Sequence, residues 1–279
     1  MKPATFDLET ARDILAGGRW QDSGPLGITC GALSIYDEAE TTFWQGTPQM
    51  TRAECQRMVR ELQGVVAAGY TLVTWNGCSF DFAVLAQESD MQAECAKLAL
   101  HHVDLMLIVT FARGWYLALQ KALIGAKLGG KLKSVTLSDG TVLNGMAGAK
   151  APELWANGEH KAVLAYLKHD VEQLLVLTRV ILDDKVIRWT SNNGNPMKFH
   201  VPELLTVLDC FNIPQPDVAW MTSPPTRKQF VEWMFAKGEL PDNGEYQMTA
   251  TDFRQIRERA DLEYLPGGNT YWNYLASDS

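Results

Sequence analysis

The chain has 279 residues, of which 46% are hydrophobic and 21% charged, the composition of an ordinary soluble globular protein with a substantial core. Its formal charge of −8 excludes a protein that coats nucleic acid through a basic face. Five dispersed cysteines (Cys30, Cys55, Cys78, Cys95, Cys210) form no C-x-x-C pair, so neither a disulfide framework nor a zinc site is expected; with no long apolar run and no apolar signal core behind Met1, the expected location is cytoplasmic, without a membrane partner.

Residues 3–8 read as a first strand and lead into Phe6-Asp7-Leu8-Glu9-Thr10. Side chains two apart on a strand leave the same face, so Asp7 and Glu9 present two carboxylates side by side. Such a pair is tolerated when solvated, or when a divalent cation such as Mg²⁺ or Mn²⁺ sits between the hard oxygens. Asp-x-Glu alone leaves both readings open. The connection 10–25 is a loop marked by Gly17-Gly18 and Gly24-Pro25, and it carries Arg12 and Arg19. Residues 26–36 and 41–44 read as two more strands of an antiparallel meander, joined by Asp37-Glu38-Ala39-Glu40.

Thr51 and Glu54 form a capping box, and Met58, Val59, Leu62, Val65 and Val66 recur at helical spacing, which predicts a helix over 51–68. The β-branched run 70–74 then fits a buried strand parallel to the first, and the crossover implies an α/β sheet. Asn76 to Asp81 leave the end of that strand, where sites are built in such sheets. Asp81 is either a site carboxylate or a helix-start carboxylate favoured by the macrodipole of the helix over 82–87. Asp104 is read as the cap of a helix over 105–112, and a further helix is expected over 115–125.

Residues 127–150 are the one locally basic segment, with Lys127, Lys131, Lys133 and Lys150; they form a solvated loop or hairpin around Asp139-Gly140, or contact a phosphate backbone. Ala151-Pro152-Glu153-Leu154-Trp155 starts a short helix, and 159–183 a long one on which Tyr166 and Asp170, four apart, share a face. A hairpin over 186–201 marks a domain boundary at 183/184; after 203–211 and a proline-rich passage, helices are expected over 226–237 and 251–261 before the aromatic end at 271–275.

In order, Asp7 and Glu9, then Asp81 within Asn76-x-x-x-Phe80-Asp81, then Tyr166-x-x-x-Asp170 resemble the DEDD 3′–5′ exonucleases of the ribonuclease H-like superfamily, in the branch whose last motif is Tyr-x-x-x-Asp (DEDDy). The resemblance covers roughly residues 1–183, and Ala-Pro-x-Leu-Trp is similar to related nucleases. It implies an α/β fold with a ribonuclease H-like mixed sheet, an antiparallel meander plus parallel strands flanked by helices. Residues 184–279 then form a separate, α-rich C-terminal extension that caps the groove, dimerises or binds a protein partner. It also implies 3′–5′ hydrolysis of single-stranded nucleic acid by two divalent metal ions, Mg²⁺ or Mn²⁺, that clamp the attacking and leaving oxygens; no motif separates DNA from RNA, and DNA is the preferred guess.

By the same resemblance Asp7 bridges both ions, Glu9 and Asp170 complete the water-activating position, Asp81 supports the second ion, and Tyr166 orients the attacking water. Leu8 and Thr10 lie beside the terminal nucleotide, while Asn76 and Phe80 line the groove, Phe80 being equally readable as core. His169 points elsewhere on its helix, and His160 lies too far upstream to replace Tyr166. A binding or scaffold module of the same fold without chemistry, and a structure-selective endonuclease, are the competing readings.

Overall fold

The computed structural model describes residues 1–14 and 23–235. In chain order its elements are β1 (Pro3–Thr10), β2 (Ile28–Ile35), β3 (Thr42–Gln45), α1 (Arg52–Ala67), β4 (Thr71–Thr74), α2 (Asp81–Ser89), α3 (Gln92–His101), β5 (Val103–Asp104), α4 (Leu105–Arg113) and α5 (Leu119–Gly125). There follow β6 (Ser134–Thr136), β7 (Val142–Asn144), α6 (Ala151–Ala156), α7 (His160–Asp184), β8 (Val186–Thr190), β9 (Pro196–His200) and α8 (Val207–Cys210). One five-stranded mixed sheet has the order β3-β2-β1-β4-β5: the first three strands are antiparallel, and β4 and β5 add in parallel. This is the expected α/β architecture.

The alternation along β1 organises the two layers. Ala4, Phe6 and Leu8 face a core containing Met58, Val59 and Leu62 of α1 and Phe82 and Leu85 of α2, with the Phe6 ring 5.7 Å from Phe82 and 6.2 Å from Trp44. Thr5, Asp7 and Glu9 therefore face the other way, towards α7, and Thr5 Oγ1 donates to the Val171 carbonyl there at 2.7 Å. A one-residue slip of β1 would exchange these faces, so burial of Phe6 and Leu8 fixes where the acids point. On α1, Thr51 Oγ1 accepts from Glu54 N and the Glu54 carboxylate accepts from Thr51 N at 2.7 Å, which is the capping box read from the sequence.

Several elements differ from expectation. The helix over 115–125 shortens to α5, because Gly114 closes α4 in a left-handed conformation and Trp75 Nε1 donates to the Leu117 carbonyl at 3.1 Å, holding that residue in extended chain. The spacing does not reveal α3: its buried face is largely small residues, Cys95, Ala96 and Ala99 beside Leu98 and Leu100, which give a weak periodic signal. The segment 203–211, left without an assignment by the sequence, holds the short α8, whose Val207 N donates to the His102 carbonyl. Over 226–235 two 3-10 turns replace the expected helix, tethered by Arg227, whose buried guanidinium donates to the carbonyls of Phe111, Phe211 and Pro214. Arg19, Gly17-Gly18 and the expectations for 236–279 lie outside the described residues.

Ile187, Trp189, Phe199, Leu208 and Phe230 join the same hydrophobic cluster as Phe82, Leu105 and Phe111, so residues 186–235 share a core with the sheet. Among the described residues no helix is long and apolar enough to cross a membrane. Phe82, fully buried between Phe6 and His102, is the test of this packing. Phe82→Ala is expected to lower the unfolding free energy by about 3–5 kcal/mol in urea denaturation; a loss under about 1 kcal/mol would contradict the assignment.

Candidate active site

On β2, Ala32 stands opposite Asp7 and Cys30 opposite Glu9. These small partners share the acids' face and leave space between the sheet and α7 that larger residues would fill. Strand β1 also outruns β4, whose pairing with it stops at Thr5 and Val73. The Leu8 N–H beyond that point donates to Asp7 Oδ1 at 3.0 Å and to Asp81 Oδ1 at 3.2 Å. A backbone group left over by the sheet thus ties the first motif to the second.

Asp81 opens α2 and is buried. It is delivered there by a braced loop: Asn76 takes a positive φ of 74°, and the fully buried Asp104 accepts from the backbone of Asn76 at 2.9 Å and Cys78 at 3.0 Å, as well as capping α4 through Met106 N and Leu107 N. Thr74 Oγ1 accepts from Gly77 N and pairs with the buried His102 ring. Asp104 is therefore the cap the sequence indicated, and it is also the brace of the loop that carries Asp81. Asp81 both sits at a helix start and shares the Leu8 N–H with Asp7.

On α7, Val163, Tyr166, Asp170 and Val171 lie on the buried side. Lys131 reaches the same place from the loop before β6: its Nζ is 2.6 Å from Asp170 Oδ2 and 5.2 Å from the centre of the Tyr166 ring. Neither Asp170 oxygen has a hydrogen bond of good geometry among the described residues, so the ion pair is its principal contact. The backbone at Lys131 is held from two helices, with Lys131 N donating to Gln120 Oε1 of α5 at 2.6 Å and the His169 ring of α7 bonding the Gly130 carbonyl at 3.1 Å. Gly130 has φ +90°, and a Cβ there would lie 2.4 Å from the Gln120 amide, so a larger residue would dislodge the loop. The segment 127–150 does form a hairpin, β6–β7, as read, while Lys131 was legible only as one of four lysines; the Gly129-Gly130 pair before it was the available sign of a constrained approach.

The charges explain one another. Burial pushes Asp7 up to about 6 from an ordinary 3.8, with Asp170 adding to the rise and Lys131 opposing it. Glu9 goes well above its ordinary range through burial and the charges of Asp7 and Asp170, and Asp81 does so through burial and Asp7. Burial pushes Asp170 up against the pull of the Lys131 ammonium and the Tyr166 hydroxyl. Burial works against the Lys131 ammonium, but Asp170, Tyr166 and Asp7 together hold it charged. Tyr166 is raised by burial and by Asp170, which keeps it a neutral phenol. Asp7, Glu9 and Asp170 thus share the influence of one cationic side chain, with Asp81 beside Asp7, and the set is short of positive charge.

The donor chemistry suits a hard divalent cation at Asp7 and Asp81: Asp7 is the partly open member, and Mg²⁺ takes one or two carboxylates while keeping several waters. As the side chains stand, no three His, Cys, Asp or Glu among the described residues are grouped as ligands of one ion. On the Asp170 side, Lys131 supplies the positive charge.

The remaining candidates are more dispersed. Leu8 is core on the opposite face of β1, and only its backbone N–H reaches the acids. Thr10 is nearly buried, with its hydroxyl donating to the Arg12 carbonyl at 2.9 Å. Asn76 accepts from Ser79 Oγ at 2.7 Å, and Phe80 packs half-buried against the main core. Gly148, in a 3-10 turn, comes alongside the Glu9 carboxylate, so the chain after β7 closes over that residue. A cavity of about 510 Å³ between α1, β4 and α3 holds none of the four acids.

The Asp7 shift fixes a sign. A carboxyl raised in the folded state favours folding below its unfolded pKa of 3.8, and that contribution is lost as pH rises through about 6. Buried His102, lowered to about 3 by burial, acts in the opposite sense over part of this range, so the difference between variants is the clean quantity. In chelator, the melting temperature of Asp7→Asn minus that of the unaltered chain is expected to increase as pH goes from about 4 to about 7. A difference that is flat or falling would contradict the raised pKa of Asp7.

No curated protein matches the chain. A family model described as the RNase H superfamily matches residues 21–181, more than half of the chain, spanning Asp81, Lys131, Tyr166 and Asp170. With the mixed sheet in the order above, the chain belongs to the RNase H superfamily.

Proposed function

We propose that this protein is a metal-dependent 3′–5′ exonuclease that hydrolyses phosphodiester bonds of single-stranded nucleic acid, DNA being the favoured substrate and RNA the alternative. The observation that supports the reading is the linkage of acids from β1, α2 and α7: the Leu8 N–H bonds both Asp7 and Asp81, and Lys131, paired with Asp170 beside Tyr166, also acts on Asp7 and Glu9. A structural role would leave these repelling acids as a burden, whereas phosphodiester cleavage needs concentrated anionic ligands at one place. Cleavage from the 3′ end rests on the resemblance of Phe6-Asp7-Leu8-Glu9-Thr10 and Tyr166-x-x-x-Asp170 to the DEDDy branch.

In this reading Asp7, Glu9, Asp81 and Asp170 are the carboxylates that hold the metal. Bound there, a divalent cation supplies Lewis-acid stabilisation of charge on the phosphate oxygens and a nucleophile from water. Tyr166, kept neutral by its surroundings, orients water through its hydroxyl and does not act as a base. Asn76 and Phe80 flank the approach from the β4 end, with Phe80 offering a face on which an unpaired base stacks. A module without chemistry draws on one observation, the Lys131 ammonium seated on Asp170.

Oligonucleotides labelled at the 3′ or 5′ end, incubated with Mg²⁺, Mn²⁺ or EDTA, decide between these readings. The expected result is a metal-dependent ladder shortening from the 3′ end and absent in Asp7→Ala. Internal cuts would indicate an endonuclease, and no metal-dependent cleavage of DNA or RNA would overturn the enzyme reading. Tyr166→Phe is expected to lower kcat by about a hundredfold with KM little changed; an unchanged kcat would remove Tyr166 from the chemistry.

A further inference from the structure

We infer that Lys131 permanently fills one of the two cation positions implied by the resemblance, so that this chain works with one divalent ion, held on the Asp7–Asp81 side, and one fixed ammonium on the Asp170 side. The inference rests on the nuclease reading but changes its metal count and takes Asp170 out of the set of carboxylates that hold metal. Three observations carry it.

The first is the contact itself. Lys131 Nζ lies 2.6 Å from Asp170 Oδ2, and this ion pair is the principal contact of a carboxylate that is 2% exposed. A hard cation bound to Asp170 would sit about 2.0–2.1 Å from its oxygen, and so within direct repulsion of the ammonium. The two cannot share the carboxylate at that range.

The second is the construction behind the lysine. Gln120 from α5 and His169 from α7 grip the chain on either side of the peptide that joins Gly130 to Lys131, and Gly130 has the positive φ and the bare Cα that this grip requires. His169, adjacent to Asp170 on α7, therefore links the position of Lys131 to that of its partner. A lysine meeting the acids by chance would not have its backbone tied to two separate helices.

The third is the division of the acids. Asp7 and Asp81 both accept from the Leu8 N–H, a donor that Asp170, the partner of Lys131, does not share. That leaves a carboxylate pair for a single ion, which completes its shell with water and substrate phosphate as Mg²⁺ does elsewhere. The ammonium, over the Tyr166 ring, supplies a compact point charge on the water-orienting side.

The test counts ions. Free Mn²⁺ is followed by its electron paramagnetic resonance signal during titration of the full chain in the presence of a nucleoside 5′-monophosphate, for the unaltered protein, Lys131→Met, Lys131→Arg and Asp7→Asn. The inference predicts one bound ion in the unaltered chain and in Lys131→Arg, two in Lys131→Met, and a loss of affinity of about tenfold or more in Asp7→Asn. Two ions in the unaltered chain, meaning that the lysine simply swings away, would overturn it, as would a Lys131→Met chain that melts cooperatively and still binds one. No bound ion in either the unaltered chain or Lys131→Met would instead overturn the nuclease reading on which the inference stands.

Discussion

Repulsion among carboxyl groups brought together from β1, α2 and α7 is the constraint to which the surrounding structure answers. Two like charges about 4 Å apart repel by roughly 4 kcal/mol at the effective dielectric of a protein surface, and burial adds to this. The chain relieves part of it with hydrogen bonds, from Leu8 N to Asp7 and Asp81, and part with the ammonium of Lys131 on Asp170. The rest is visible as upward shifts of Asp7, Glu9, Asp81 and Asp170. Such a cluster is stable in the ionised state only with added positive charge.

The hydrophobic framework is what forces the acids together. Phe6 and Leu8 are held by Phe82, Met58 and their neighbours, which turns Asp7 and Glu9 to the opposite face. Asp104 and Thr74 brace the loop that brings Asp81 up from the end of β4, and Thr5 fastens α7 at Val171, one residue beyond Asp170. Each acid is thus placed by an apolar or fully hydrogen-bonded neighbour that does no chemistry. The extension over 186–235 contributes to the same core, so changes there bear on the stability of the whole sheet.

Much of this was legible in the sequence where local signals agree with tertiary ones. The capping box at Thr51, the β-branched run over 70–74 and the long apolar stripe around Tyr166 and Asp170 each predict an element close to that observed. The reading failed where tertiary contacts override the local pattern. Trp75 and Gly114 hold 114–118 out of a helix, Arg227 ties its segment into 3-10 turns, and α3 buries residues too small to write a clear period. Within the site, the acids could be picked out because strand and helix spacing place them on definite faces. Lys131 could not, because its position depends on a loop whose path is set by Gln120 and His169, far away in the sequence.

Thermal denaturation of the chain in EDTA and in excess Mn²⁺, without nucleic acid, decides whether these acids seat a divalent cation. An ion at a hundred times its dissociation constant adds about 2.7 kcal/mol to the folded state, so a seated ion gives a clear rise in melting temperature that Asp7→Asn abolishes. A melting temperature unmoved by Mn²⁺, or moved equally in Asp7→Asn, would contradict such a seat.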